Sequence, residues 1–134
     1  MYFQKSGNKY HAKSTQYEGY TYHSKFEAAY AESLDLAQKA GDIKSWERQV
    51  KLELRVNGYP ITNYYIDFIV KHNDDSYEFT ETKGFSTDVF RIKWKLFEAT
   101  FADHKRTPDD TITLVKQSSW GPPRHRKLST GGRL

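Results

Sequence analysis

The chain has 134 residues, no cysteine and a formal net charge of +4 at pH 7. Its length suits a single domain with one hydrophobic core. The lack of cysteine excludes a disulfide framework, a thiolate zinc site and a cysteine nucleophile. No apolar run approaches the roughly 18 residues that span a bilayer, and the first residues lack the apolar stretch of a signal peptide. We therefore expect a soluble, cytoplasmic protein that does not bind membranes.

Positive charge is concentrated at the two ends of the chain. Residues 1–16 contain three lysines and no acid, and residues 118–134 contain four basic residues and no acid, so the total of +4 leaves −3 for residues 17–117. We divide the chain into a basic N-terminal arm (1–16), a folded core (17–117) and a basic, flexible C-terminal tail (118–134). Basic arms around an acidic centre suit a protein that attracts a polyanion and holds cations. Arms that only improve solubility explain the composition equally well.

The first predicted elements are a hairpin and a helix. Aromatic and β-branched residues from Tyr17 to Tyr22 favour a short hairpin. Ser24 followed by Glu27 fits a helix capping box, and Gly41 stands where a glycine would end that helix. Residues that recur with helical spacing predict its buried face: Phe26, Ala29, Tyr30, Ser33, Leu34 and Ala37.

Three strand-like segments follow, at about 49–56, 62–71 and 76–83. Turn-forming residues separate them, which predicts an antiparallel meander. Side chains alternate between the two faces of a strand. In the second segment this alternation predicts one face with Tyr64, Ile66, Phe68 and Val70, and another with Tyr65, Asp67 and Ile69. In the third segment it predicts a shared face for Tyr77, Phe79, Glu81 and Lys83.

A second helix and a last strand complete the predicted core. The helix is expected at about 88–101 and the strand at 111–115. The helix pattern predicts an inward face with Ile92, Leu96 and Phe97, and an outward face with Arg91, Lys93 and Lys95. The resulting class is α/β, with a small mixed sheet whose antiparallel three-stranded meander is flanked by two helices.

The chemistry is concentrated in the second and third strands. Asp67 interrupts the most apolar segment of the chain, where an unpaired buried carboxylate would cost several kcal/mol. Glu81 and Lys83 are two residues apart and therefore project from the same side of the neighbouring strand. Two carboxylates beside one ammonium make a poor packing motif but a good site for Mg²⁺, which prefers oxygen ligands. Such an ion would lower the pKa of a bound water, and Lys83 could orient that water.

These residues resemble the PD-(D/E)XK nuclease superfamily. The resemblance rests on Glu27 in Ser24-Lys25-Phe26-Glu27, Asp67 in Tyr65-Ile66-Asp67-Phe68, the stretch Glu81-Thr82-Lys83-Gly84 and a basic helix that follows. Within the superfamily the chain is most similar to small phage nucleases, including the phage endonuclease I group of Holliday-junction resolvases. The similarity spans roughly residues 8–116, and position 66 is Ile where the superfamily often has Pro.

The resemblance implies a restriction-endonuclease-like core and a metal-dependent catalytic set. Asp67, Glu81 and the Thr82 backbone carbonyl would bind one or two Mg²⁺ ions, for which Mn²⁺ would substitute. Glu27 would contribute to the metal shell, and Lys83 would assist the attacking water. Taken singly, each residue has an ordinary explanation. Glu27 fits a helix-capping acid, Asp67 an edge-strand residue, and Glu81 with Lys83 a surface pair. Their joint occurrence in this order favours the nuclease interpretation.

DNA is the expected partner. Basic residues on the second helix and on both arms would bind phosphates: Arg91, Lys93, Lys95, Lys9, Lys13, Arg124, Arg126 and Lys127. Trp94 and Trp120 could stack on unpaired bases, although large aromatic residues belong more often to a core. The five histidines lack the spacing of metal ligands.

Three functions follow from these residues. The first is a phage endonuclease that acts on branched DNA as a homodimer, because two cuts in a junction need two active sites. The second is a nicking or homing-type endonuclease with sequence preference. The third is a nucleic-acid-binding phage accessory protein without catalysis.

Overall fold

The computed structural model describes residues 15–17, 20–22, 24–84 and 86–121. A two-stranded hairpin precedes the first helix, and a four-stranded sheet with a second helix follows. The elements in chain order are β1 (Thr15–Tyr17), β2 (Tyr20–Tyr22), α1 (Lys25–Lys39), β3 (Ser45–Val56), β4 (Tyr59–Lys71), β5 (Tyr77–Lys83), α2 (Asp88–Ala99) and β6 (Thr111–Lys116). No helix in these ranges is long and apolar enough to cross a membrane.

The main sheet has the order β3-β4-β5-β6. β3, β4 and β5 form an antiparallel meander, and β6 pairs with β5 in parallel because α2 carries the chain across between them. The predicted α/β class with a small mixed sheet is thereby confirmed. β4 begins earlier than predicted because Asn57 (φ +51°) and Gly58 (φ +81°) form a tight turn, and β3 begins earlier because residues 45–48 pair with residues 68–71 of β4.

The capping hydrogen bond at the start of α1 and the glycine after its end are found as predicted. The Ser24 hydroxyl accepts a hydrogen bond from the Glu27 backbone amide at 3.1 Å, and Gly41 after the helix has φ +83°. The predicted buried face of this helix is partly wrong. Ala28 and Ala31 are buried, whereas Ala29 is only half-buried, because the helix contacts the sheet through a face rotated from the predicted one.

The sheet separates two hydrophobic clusters. One lies between α1 and the sheet, and its buried members are Ala28, Ala31, Leu34, Ile43, Phe68 and Val70. The other lies between α2 and the sheet, and its buried members are Leu54, Tyr64, Ile66, Ile69, Phe79, Trp94 and Phe97. Each helix therefore covers its own cluster.

The face alternation predicted for β4 is wrong. Ile66 lies in the same cluster as Ile69, not with Phe68. The cause is an irregularity between these residues: the β3–β4 ladder pairs Arg48 with Phe68 and Val50 with Ile66, and it skips Gln49 and Asp67. The irregularity changes which face the side chains occupy on its two sides, and it lies where the acidic residues converge.

The predicted inward face of α2 is also partly wrong. Phe97 is fully buried as predicted, but the side chain of Ile92 is 68% exposed and Trp94 is 8% exposed. Trp94 contacts Phe97 with ring centroids 5.5 Å apart, so it belongs largely to the core. Trp120 lies 5.5 Å from the rings of both Phe26 and Tyr30, which likewise places it in protein packing.

Candidate active site

The four predicted catalytic side chains, which come from three elements, line one open cavity of about 640 Å³ together with Lys93. Glu27 comes from the first turn of α1, Asp67 from the irregular point of β4, and Glu81 and Lys83 from the end of β5. The three acids are 4%, 8% and 5% exposed, respectively. The structure thus brings together the four residues that were predicted as the catalytic set.

The carboxylate of Asp67 accepts hydrogen bonds from three donors. Its Oδ2 accepts from the backbone N and the Oγ1 of Thr82, at 3.0 and 2.8 Å. Its Oδ1 accepts from Nε2 of Gln49 at 2.9 Å. These bonds compensate the burial of a carboxylate in an apolar strand. Thr82, predicted only as a carbonyl ligand, also orients Asp67 through its amide and hydroxyl.

Gln49 joins two of the acids and was not predicted as a site residue. Its Nε2 donates to Oε2 of Glu27 as well as to Oδ1 of Asp67, each at 2.9 Å. Its backbone has φ +49°, in the left-handed region, which costs a residue other than glycine on the order of 1 kcal/mol or more. The strained backbone lies where the ladder skips Gln49 and Asp67. A glutamine in a strand rich in polar residues carries no signal that could have identified it.

Glu81 lies at the centre of the site. Its Oε1 accepts hydrogen bonds from the Tyr64 hydroxyl at 2.7 Å and from the Asp67 backbone N at 3.4 Å. Burial, followed by the negative charge of Asp67, raises the pKa of Glu81 to about 8. Burial and the charge of Glu81 also raise the pKa of Tyr64, so its hydroxyl keeps its proton and remains a donor. Tyr64 was predicted only as a strand residue.

Lys83 stands beside Glu81 and over an aromatic ring. Its Nζ is 3.7 Å from Oε2 of Glu81 and 3.9 Å from the ring centroid of Phe90 on α2. The Lys83 side chain is 25% exposed, so its ammonium is open to the cavity while its position is restricted. The cation–π contact to Phe90 was not predicted, because it depends on how α2 packs on the end of β5.

Comparison with known proteins gives one family. The model of the DUF1064 family, described as a protein of unknown function, matches residues 7–113. The chain belongs to this family. No curated protein and no solved structure matches the chain. Because the DUF1064 description gives no activity, the function of this chain has to be argued from the site itself.

The donor set of this DUF1064 site suits a hard divalent cation, but the side chains are not arranged around a metal position. Carboxylate oxygens are the ligands that Mg²⁺ prefers. A cation would also compensate the burial that keeps Glu81 protonated near neutral pH. Within the part of the chain that the structure describes, no group of three or more His, Cys, Asp or Glu residues is arranged to hold a metal. Gln49 and Tyr64 donate hydrogen bonds to carboxylate oxygens of this donor set, so a bound ion would compete with these two bonds.

The basic residues predicted to contact DNA fall into two groups. On α2, Lys93 lines the candidate active-site cavity and donates to the Asn63 carbonyl at 3.3 Å. Arg91 pairs with Asp88 and also donates to Ser86. Lys95 lines a neighbouring cavity. The other group lies outside the described residues: Lys9, Lys13, Arg124, Arg126 and Lys127.

Proposed function

We propose that the chain is a metal-dependent endonuclease of the PD-(D/E)XK type that hydrolyses phosphodiester bonds in DNA. The observation that carries the proposal is the convergence of Glu27, Asp67, Glu81 and Lys83 in one open cavity. The order and elements of these residues agree with the resemblance seen in the sequence. A buried acid cluster with one ammonium contributes little to packing stability, which favours a chemical role.

Each residue has a distinct part in this proposal. Asp67, Glu81 and the Thr82 carbonyl would hold one or two Mg²⁺ or Mn²⁺ ions, with Glu27 completing the shell. A bound ion supplies a water of lowered pKa and stabilises charge on the phosphate. Lys83 orients the attacking water and faces the phosphate oxygens. The water oxygen would bond to phosphorus and release one proton to solvent, while the bond from phosphorus to the 3′ sugar oxygen breaks and that oxygen takes up a proton from solvent, leaving a 5′-phosphate and a 3′-hydroxyl.

Branched DNA is the substrate that we propose, in the cytoplasm of a phage host cell. Lys93, Arg91 and Lys95 lie on or near the rim of the site, where cations bind phosphates without regard to sequence. Contacts to phosphates carry no sequence information directly, so shape and backbone would guide recognition. We propose a homodimer because paired cuts in a junction need two sites.

A nucleic-acid-binding protein without catalysis is the second candidate. It is favoured by the hydrogen bonds that already satisfy the acids: Asp67 has three donors, and Glu81 has Tyr64 as a donor at 2.7 Å. A site that never binds metal would keep such bonds permanently. A metal-binding measurement on the same preparation therefore distinguishes the two candidates.

The decisive experiment compares cleavage of a four-way junction by the wild type, Asp67→Asn and Lys83→Ala. With Mg²⁺ present, we expect the wild type to cut and both variants to lose at least about 100-fold in rate, since each removes a group that acts on the reacting phosphate. Asp42→Asn is the matched control, because Asp42 is exposed beyond the other end of α1. Glu27 and Lys39, the last helical residue before Asp42, are twelve helical residues and about 18 Å apart along the axis.

Three results would contradict the proposal. The wild type could fail to cut any junction or duplex in Mg²⁺ or Mn²⁺ while still binding DNA, which would establish the second candidate. Asp67→Asn could cut as fast as Asp42→Asn. Finally, cleavage could persist at the same rate in excess EDTA. Circular dichroism of each variant checks that the fold is intact.

A further inference from the structure

A second cavity lies beside the candidate active site and has a volume of about 390 Å³. Its size falls within the range of pockets that hold small ligands, roughly 300–1,000 Å³. It shares Lys83, Gly84, Phe90 and Gln117 with the first cavity. At this shared wall Gly84 and the Gln117 side chain lie close together, since a Cβ on Gly84 would be only 2.6 Å from Oε1 of Gln117.

The walls of this second cavity combine apolar rings with cations. Phe90 and Trp94 stack with ring centroids 6.0 Å apart and an interplanar angle of 25°, and they provide an aromatic wall. Lys95 on α2 and Lys116 at the end of β6 contribute positive charge, and Glu98 contributes an acid. In the described ranges, no ion pair is seen for either lysine.

We propose that the second cavity binds one unpaired nucleotide of a DNA substrate. The base would pack against Phe90 and Trp94, which line this cavity, and its phosphate would bind Lys95 and Lys116. An aromatic wall with a cationic rim matches a nucleotide better than an apolar peptide or a neutral metabolite. A base in a duplex stays paired and stacked, so only an unpaired or extruded nucleotide can enter.

This inference rests on the proposed function and makes its substrate more specific. Lys83 lines both cavities, so a nucleotide in the second would be next to the phosphate held in the first. Substrate choice would then depend on a strand that leaves the duplex at the cut. A junction, a flap or a bulge provides such a strand, and a continuous duplex does not.

The test measures binding in EDTA, where no cleavage occurs, by fluorescence anisotropy of labelled DNA. The probes are a duplex with one unpaired nucleotide, the same duplex with an abasic residue at that position, and the fully paired duplex. Wild type should prefer the first probe by roughly fivefold or more, because stacking of one base contributes at least this much. The double variant Lys95→Ala with Lys116→Ala should weaken binding of the first two probes more than binding of the fully paired duplex, because both probes keep the phosphate of the unpaired position. The matched control is Lys39→Ala with Lys105→Ala, two exposed lysines outside both cavities.

Two outcomes would overturn the inference. If the abasic probe binds as tightly as the unpaired nucleotide, the cavity does not receive the base. If the double variant weakens all three probes by one common factor, its lysines act only as general phosphate contacts. A protein that shows the preference in EDTA but never cuts with Mg²⁺ would refute the nuclease proposal and leave the nucleotide site standing.

Discussion

The protonation of Glu81 predicts an unusual pH dependence of stability. The pKa of this carboxyl is about 8 in the folded protein and 4.5 for the ordinary side chain. Between these values the folded state holds one more proton than the unfolded state, so the free energy of unfolding falls as pH rises. The stabilising contribution is fully present below pH 4.5 and is lost as pH passes 8.

The magnitude follows from the same two values. Each pH unit inside the window costs about 1.4 kcal/mol, so the loss between pH 5 and pH 8 reaches about 4 kcal/mol. Water that enters the open cavity around Glu81 reduces this figure, and a loss of about 2 kcal/mol is the smallest that the burial supports.

Urea unfolding of wild type and Glu81→Gln at pH 5, 6, 7 and 8 in EDTA measures the effect. The glutamine keeps the size of the side chain and an acceptor for Tyr64, but it does not titrate. Histidines and other acids titrate in both proteins, so they cancel when the two unfolding free energies are subtracted. We expect wild type to lose about 2–4 kcal/mol relative to Glu81→Gln across this range. A relative change below about 0.5 kcal/mol would refute the reasoning.

Magnesium provides a second arm of this experiment. An ion that binds the ionised carboxyl competes with its proton, so millimolar Mg²⁺ should reduce the pH dependence of wild type and leave Glu81→Gln unchanged. If Mg²⁺ changes the unfolding free energy of neither protein while the pH dependence in EDTA is present, Glu81 is buried as described but does not bind the metal.

Four further substitutions test the packing and the site by urea unfolding. Phe97→Ala should destabilise the fold by about 3–5 kcal/mol because the ring is fully buried, whereas Ile92→Ala, on a side chain 68% exposed, should change stability by less than about 0.5 kcal/mol. Similar losses for both would contradict the observed orientation of α2. Gly41→Ala should cost about 1 kcal/mol through its φ of +83° alone, since a Cβ there meets nothing within 4 Å, and no loss would mean that another residue ends the helix. Gln49→Leu should cost about 1–3 kcal/mol at pH 8 because two buried carboxylates lose a shared donor, and unchanged stability would show that the bridge is unimportant.

The sequence predicted most elements because their signals are local. Ser24 and Gly41 act within one helical turn, and Asn57-Gly58 fixes its turn through the backbone conformation of those two residues. The predicted face of α2 failed for a different reason. Ile92 and Trp94 are both apolar, and only the packing of α2 against β4 and β5 decides which one is buried.

The site residues divide in the same way into those with a signal in the sequence and those placed by tertiary structure. Asp67 stood out in the sequence because a carboxylate in an apolar strand demands compensation, and Glu81 with Lys83 stood out through their spacing. Gln49 and Tyr64 gave no such signal, since a glutamine or a tyrosine is common in any strand. Their positions depend on the skipped pair in the β3–β4 ladder, which is a tertiary feature.

The charges of the site explain why it can fold before it binds an ion. Three buried acids face one ammonium, and full ionisation would leave two uncompensated negative charges inside the domain. The proton on Glu81 removes one of these charges near neutral pH, and the Gln49 amide bridges the other two carboxylates. A divalent cation would replace the proton and the bridge together. Under the proposed function, folding without metal and binding of metal would depend on the same three acids, so a substitution that improves the first would weaken the second.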